Sequence, residues 1–324
     1  MNTRVLILGA SGQAGPLLAH ILLQSGATIA CTSRFNAPRG FCGLAQLNIM
    51  PKVKKFVLDP TKFEDLKSVI QKWKPKMIFH FAGSASPSQS VGNPITSLDF
   101  AKTTLNLLEA VRLIDKSIIV RIASSGEIFK KIKGKLIDET SVYEAKCLYS
   151  NEKIAACNLI TIYRDKYDLN CASLHLFNHE SEIRSKEFVT AKIVHGAIDI
   201  AEGKSDLIQL GNLDIVRDWG WASEYMQALK LSAFQKQPED YIISTGVSIS
   251  LKRFIGVIFT ELELDMTKYV VINEELIRVG EPQEIYTNPS KIRRELSWSP
   301  RIIGEEVPKK MLQEVLKLRS RNAR

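Results

Sequence analysis

The run Arg4-Val5-Leu6-Ile7-Leu8-Gly9-Ala10-Ser11-Gly12-Gln13-Ala14-Gly15 restricts this chain more than any other segment, because four apolar residues lead directly into three evenly spaced glycines. Val5 to Leu8 read as a buried strand, and Leu17-Leu18-Ala19-His20-Ile21-Leu22-Leu23 beyond the glycines read as a helix. Strand, tight turn and helix in that order predict a dinucleotide loop formed by Gly9, Ser11, Gly12, Gln13 and Gly15. Gly9 allows the turn, Gly12 lets backbone N–H groups approach a pyrophosphate, and Gly15 lets the helix sit close to its strand.

The second strand is expected at Thr28-Ile29-Ala30-Cys31-Thr32. It ends where an NAD enzyme commonly holds the adenosine ribose with an acid. No acid is there: the first carboxylate of the chain is Asp59, whereas Arg34 and Arg39 follow the strand. A 2′-phosphate would therefore meet positive charge, and NADP is the expected cofactor.

Strand and helix signals then alternate. Lys55 to Leu58 and Lys76 to Phe81 read as short buried strands, separated by a helix carrying Leu66, Val69, Ile70 and Trp73. A longer helix from about Ile95 to Ile114 leads to a strand Ile118 to Ala123, and a helix through Tyr149 to Tyr163 leads to a strand Cys171 to Phe177. This order predicts an α/β fold, a Rossmann-type doubly wound parallel sheet with its ligand at the carboxyl ends of the strands. Residues 1–177 are expected to form the dinucleotide-binding domain and 178–324 a smaller mixed lobe, across a soft boundary that the chain recrosses.

Composition narrows the function class. The net charge of +9 is spread along 324 residues and includes Lys130, Lys131, Lys133 and Lys135, read as a solvated loop, and a tail from Lys317 to Arg324, read as a fraying helix end. Neither cluster is interleaved with aromatics, so no nucleic-acid partner is expected, and an anionic substrate suits the charge better. No long uncharged apolar run or N-terminal export segment is seen, so neither membrane nor secretion is expected and the reading is cytoplasmic. Cysteines 31, 42, 147, 157 and 171 contain no C-x-x-C pair, and the five histidines are scattered; no disulfide and no metal site are expected.

The chemistry-bearing residues come later. Ser124-Ser125-Gly126-Glu127 follow the strand that ends at Ala123, where a nicotinamide would lie. Tyr149-Ser150-Asn151-Glu152-Lys153 is the one Y-x-x-x-K of the chain, a spacing that puts Tyr149 and Lys153 on one helix face. The cation is expected to lower the phenol pKa toward neutrality, so that Tyr149 takes a proton from a sugar hydroxyl while Ser125 hydrogen-bonds the oxygen. Together with the glycine loop, this combination is the signature of the short-chain dehydrogenase superfamily.

Within that superfamily the chain resembles the GDP-mannose 4,6-dehydratases over nearly its whole length. The resemblance rests on the glycine loop, on Leu176-Phe177-Asn178-His179-Glu180-Ser181 with Phe188-Val189-Thr190-Ala191-Lys192-Ile193, on Leu210-Gly211-Asn212-Leu213-Asp214 with Arg217-Asp218-Trp219-Gly220, and on Asn288-Pro289-Ser290-Lys291 with Leu296-Ser297-Trp298-Ser299-Pro300. It implies dehydration of GDP-mannose, or of a close analogue such as a GDP-heptose, by internal hydride transfer through NADP. Tyr149 would be the base at carbon 4, Lys153 its partner, Ser125 the family's threonine hydroxyl and Glu127 the acid/base group at carbon 5. The resemblance further implies that Asp59 contacts the adenine side, that Phe81, Ala82 and Gly83 line the cofactor with Ser84 beside them at the substrate, and that His179 and Arg184 approach the nicotinamide half. Asn178, Val189, Lys192, Arg217, Arg278 and Glu281 would hold the guanine and the diphosphate, and a homo-oligomer, dimer or tetramer, would be the assembly. Departures lie near the chemistry: Gly126 stands for a serine, Cys147-Leu148 for Ser-Pro, Phe129 for tyrosine, Ala14 for aspartate, Thr96 for tyrosine and Ser84-Ala85-Ser86 for Gln-Ser-His. Two other outcomes remain open at this point, a GDP-sugar reductase or epimerase and an NADP-binding scaffold without turnover.

Overall fold

The computed structural model describes residues 3–37, 39–83, 94–96, 98–277 and 280–322. Five strands come first, β1 (Arg4–Leu8), β2 (Thr28–Ser33), β3 (Lys54–Val57), β4 (Met77–His80) and β5 (Ile119–Ser125). They are followed by β6 (Leu136–Ile137), β7 (Cys171–Leu176), β8 (Asn178–Glu180), β9 (Ile208–Leu210), β10 (Val216–Trp221), β11 (Tyr241–Ile243) and β12 (Ser248–Ser250). Seven of them form one sheet in the order β11-β7-β5-β4-β1-β2-β3, and every pairing in it is parallel.

A parallel sheet buried on both faces demands strands that are apolar on both sides. Val5 and Ile7 of β1 enter the core beneath the helices Ala14–Gln24 and Ala222–Ser232. Leu6 and Leu8 enter the opposite core, with the helices Phe63–Trp73, Asp99–Ile114 and Leu148–Tyr167. Each such fully buried aliphatic side chain contributes about 1.5–3 kcal/mol. The long helix begins at Asp99 rather than near Ile95, which lies in a single 3-10 turn, Pro94–Thr96.

The expected burial of the third strand is corrected. β3 pairs only with β2, at the sheet edge, and Lys54, Lys55 and Val57 are exposed. Lysines on an edge strand discourage pairing with another chain.

The second half of the chain joins the large sheet and also forms a core of its own. β11 lies beside β7 in the large sheet, with Tyr241 opposite Leu174, and the buried guanidinium of Arg121 donates to the Ser232 carbonyl at 3.1 and 2.8 Å. A separate core joins the helices Val189–Ala201, Leu251–Glu261 and Glu306–Asn322 to β9 and β10. There Arg319 is anchored where a fraying end was expected, donating to Asp199 at 2.7 Å and to the His195 carbonyl at 3.1 Å, while residues 323–324 of that tail lie outside the described residues. The chain order reverses between β1 and β4, and a crevice opens outside the carboxyl ends of the strands at that point. Among the described residues, no helix is long and apolar enough to cross a membrane.

Candidate active site

The crevice has a volume of about 1410 Å³. That exceeds the usual range for one drug-sized ligand and suits two ligands end to end. One end is the glycine loop. Gly9 adopts φ +103°, and a Cβ there would lie 2.9 Å from the Ala82 nitrogen; a Cβ on Gly15 would lie 2.3 Å from the Gly9 oxygen. Gly12, by contrast, faces open space. Two of the glycines thus close the turn against the sheet, and the third leaves the backbone accessible from the crevice.

Ser11 and Gln13 line the same end. The Gln13 amide is engaged within the protein: Nε2 donates to the His179 carbonyl at 3.0 Å, and Oε1 accepts from the Ser181 hydroxyl at 2.6 Å. It ties the loop to the Asn-His-Glu-Ser segment. Phe81, Ala82 and Gly83 continue the wall at the end of β4, while Ser84 lies outside the described residues.

Arg34 also lines the crevice and is paired with Asp99 at 3.1 Å. The acid absent from the end of β2 is therefore supplied by a residue 65 positions away. Arg39 stacks on Phe35, 4.3 Å from the ring centroid. Asp59 is not part of the wall, which Pro60 and Thr61 form; its carboxylate accepts from the Thr61 backbone N–H at 3.1 Å and hydroxyl at 2.8 Å.

The middle of the crevice brings together Ser125, Glu127, Tyr149 and Lys153. The Ser125 hydroxyl accepts from the Glu127 N–H at 3.2 Å, capping a 3-10 turn over Gly126–Ile128. Gly126 has a packing reason, since a Cβ there would meet the Phe177 ring at 2.7 Å. Tyr149 and Lys153 share the inner face of the Leu148–Tyr167 helix and are almost wholly buried. The Lys153 ammonium donates to the Ala123 carbonyl at 3.4 Å and sits 3.0 Å from the Phe100 ring centroid, against 5.6 Å from that of Tyr149. Phe100 is held in turn by its N–H, which donates to the buried Glu152 carboxylate at 3.1 Å.

Here the expectation of a neutral-range phenol is corrected. Burial pushes the Tyr149 phenol up to about 12, opposed only in part by the nearby Ser125 hydroxyl. Burial also pulls the Lys153 ammonium down and pushes the Glu152 carboxyl up. Desolvation disfavours each charged form, and in the protein by itself it outweighs the helix-face pairing.

A second correction concerns Lys131, expected in solvent. Its side chain is 6% exposed, lines the crevice, and bonds the Glu127 carboxylate at 2.9 Å. Its position four residues after an acid was the available signal. Asp99 offered no such local signal.

Asn178, His179, Arg184, Val189, Arg217 and Glu281 also line the crevice. The His179 Nδ1 lies 2.8 Å from the Phe177 carbonyl, which can only accept, so this nitrogen carries the proton. Burial pulls the imidazole down to about 4, and it is neutral near pH 7. Arg184 stacks on Phe188 at 3.5 Å and lies 3.5 Å from Glu180. Arg217 pairs with Glu281 at 3.2 Å. Lys192 is outside the wall, its ammonium donating to the Gln209 carbonyl at 2.7 Å, and Arg278 lies outside the described residues. Asp218, next to Arg217, is a buried hub that accepts from the hydroxyls of Thr245 and Thr287, both at 2.7 Å, and from the Gly246 N–H, also at 2.7 Å.

Known proteins share this plan. A dTDP-glucose 4,6-dehydratase from Bacillus anthracis, solved with NAD, superposes with a TM-score of 0.83 at 20% identity over 97% of both chains. A Thermus thermophilus UDP-glucose 4-epimerase, also with NAD, gives 0.83 at 21% identity over 97% of this chain and 99% of its own. In sequence, a GDP-mannose 4,6-dehydratase of Vibrio cholerae is 30% identical over 362 residues, covering 100% of this chain and 96% of its own. GDP-mannose 4,6 dehydratase 2 of Arabidopsis thaliana is 32% identical over 331 residues, covering 98% and 87%. A family profile described as GDP-mannose 4,6 dehydratase matches residues 6–311, and the chain belongs to that family.

Proposed function

We propose that this protein removes water from GDP-mannose to give the 4-keto-6-deoxy sugar, with NADP as its resident cofactor. The observation that carries the reading is Glu127 on the wall of the same crevice as Ser125, Tyr149 and Lys153. Dehydration needs a second proton-transfer group beyond the tyrosine, and Glu127 supplies it.

The residues present fit a dinucleotide. Gly12 leaves an open approach to the backbone at the start of the Ala14–Gln24 helix, where a pyrophosphate would be held. Arg34 would meet a 2′-phosphate once released from Asp99, Tyr149 and Lys153 would hold the ribose, and His179 and Arg184 would border the nicotinamide. Such a dinucleotide would supply a ring able to take hydride from carbon 4 and give it back at carbon 6, and its positive charge would favour loss of the phenol proton. Tyr149 takes the carbon 4 hydroxyl proton, with the Ser125 hydroxyl near its phenol. The ketone then acidifies the carbon 5 proton, which Glu127 removes and delivers to the hydroxide leaving carbon 6, so that water departs and a carbon 5–carbon 6 double bond forms; when hydride returns to carbon 6, carbon 5 takes up a proton that balances the one Tyr149 removed from the carbon 4 hydroxyl. Arg217 and its pair Glu281 would face the diphosphate and the base, as the guanidinium fork binds oxygen pairs.

The protein incubated with GDP-mannose and NADP is expected to yield a sugar nucleotide lighter by one water, with no net NADPH. Unchanged substrate under saturating conditions overturns the reading. A cytoplasmic location and a homo-oligomer belong to the same proposal. Support for assembly comes from Leu105 and Leu113 on the Asp99–Ile114 helix and Ile162 and Tyr167 on the Leu148–Tyr167 helix, exposed apolar side chains on two helices packed together.

A further inference from the structure

Glu127 is held by a cation that the chemistry above does not use. The Lys131 ammonium donates to the Glu127 carboxylate at 2.9 Å and to the Glu127 carbonyl at 3.1 Å. Both side chains line the crevice, and they differ in exposure, 6% for Lys131 against 38% for Glu127, so the cation is the more withdrawn from water. The backbone carrying both is fixed. The Ser125 hydroxyl holds the Glu127 N–H, Gly126 packs against Phe177, the Glu144 N–H donates to the Ile128 carbonyl at 2.7 Å, and the Lys130 N–H donates to the Val142 carbonyl at 2.8 Å.

Withdrawing an ammonium from water costs several kcal/mol unless its partners offset it. Both of these acceptors belong to Glu127. A half-exposed carboxylate does not need such a partner for solubility, but one that must meet a carbon-bound proton needs a fixed position. We propose that Lys131 is the positioning residue of Glu127, a two-point clamp that aims the carboxylate at the carbon whose proton it removes and keeps it there while that proton passes to the departing hydroxide. The inference rests on the dehydration reading. In this step Glu127 gains the carbon 5 proton, the carbon 6–oxygen bond breaks, and hydroxide takes the proton from Glu127 as water; Lys131 stays protonated throughout.

The test compares Lys131→Met, Lys131→Arg, Glu127→Gln and the double variant with the wild type, in turnover of GDP-mannose and in calorimetric binding of GDP. For Lys131→Met the expected loss in kcat is about tenfold to a hundredfold, the scale of a misplaced catalytic group. KM and GDP affinity should stay within about twofold of wild type, which marks an effect confined to the transition state. Lys131→Arg should recover most of the loss. In the Glu127→Gln background, Lys131→Met should add less than about twofold, because residues acting as a unit are not additive. Wild-type kcat in Lys131→Met, or fully additive losses, overturns the clamp while dehydration stands. A lowered melting temperature with raised KM and intact kcat also overturns it, by marking a structural role. A wild-type protein that leaves GDP-mannose unchanged removes the dehydration reading and the clamp with it.

Discussion

Two lysines in this crevice each follow their partner by four residues, and they end in opposite situations. Lys153 follows Tyr149 on a regular helix, where spacing alone puts both on one face, yet its ammonium rests on Phe100 and the Ala123 carbonyl instead of the phenol. Lys131 follows Glu127 out of a 3-10 turn into irregular chain, and it makes the direct contact at 2.9 Å. Helical spacing specifies a shared face; it does not specify a bond. What decides the contact is which acceptor the surrounding walls leave within reach. For Lys153 that wall is the aromatic ring anchored by Glu152, and for Lys131 it is the carboxylate and carbonyl of one residue.

The comparison can be broken most sharply at the phenol. Tyr149→Phe is expected to lower kcat by about a hundredfold to ten-thousandfold. NADP binding, read by fluorescence titration, should persist. A variant that keeps wild-type turnover would show that the helix-borne pair is not the working one. The turn can be probed by Gly126→Ser, which restores the family's usual residue but drives a Cβ to 2.7 Å from the Phe177 ring. Overpacking of this kind costs about 1–3 kcal/mol, and the thermal midpoint should fall by about 2–10 °C. An unchanged midpoint would mean that Phe177 yields and the turn is less constrained than its packing indicates. The smallest effect belongs to Asp99→Asn, which frees Arg34. The pair is partly exposed, so it should contribute at most about 1 kcal/mol, and the NADP dissociation constant should tighten up to about fivefold while that for NAD changes little. Equal changes for both cofactors would remove Arg34 from 2′-phosphate recognition.

Much of the cofactor end was legible without coordinates. A strand buried on both faces must be apolar along its length, and a turn that brings a helix against that strand must carry glycine at Gly9 and Gly15, so a short stretch of sequence encodes both. The residues around Ser125 and Tyr149 were legible for the same reason, as the ends of a recognisable strand and the face of a recognisable helix. Lys54 to Val57 looked like those strands in composition, but its place at the sheet edge depends on strand order, which no single segment encodes.

The long-range partners of the charges were not legible. Asp99 reaches Arg34 across 65 positions, Asp199 fixes Arg319 across 120, and Glu281 meets Arg217 across 64. The sequence by itself determined the alternating sheet, the glycine loop and the candidate proton-transfer groups, because sterics and hydrophobic period act over a few residues. Only the tertiary structure decided which charge each group faces and how far from water it lies, and with that the raised phenol of Tyr149 and the clamp on Glu127. The raised phenol is a property of the packed walls alone, whereas the clamp combines a local four-residue spacing with the burial that those walls impose.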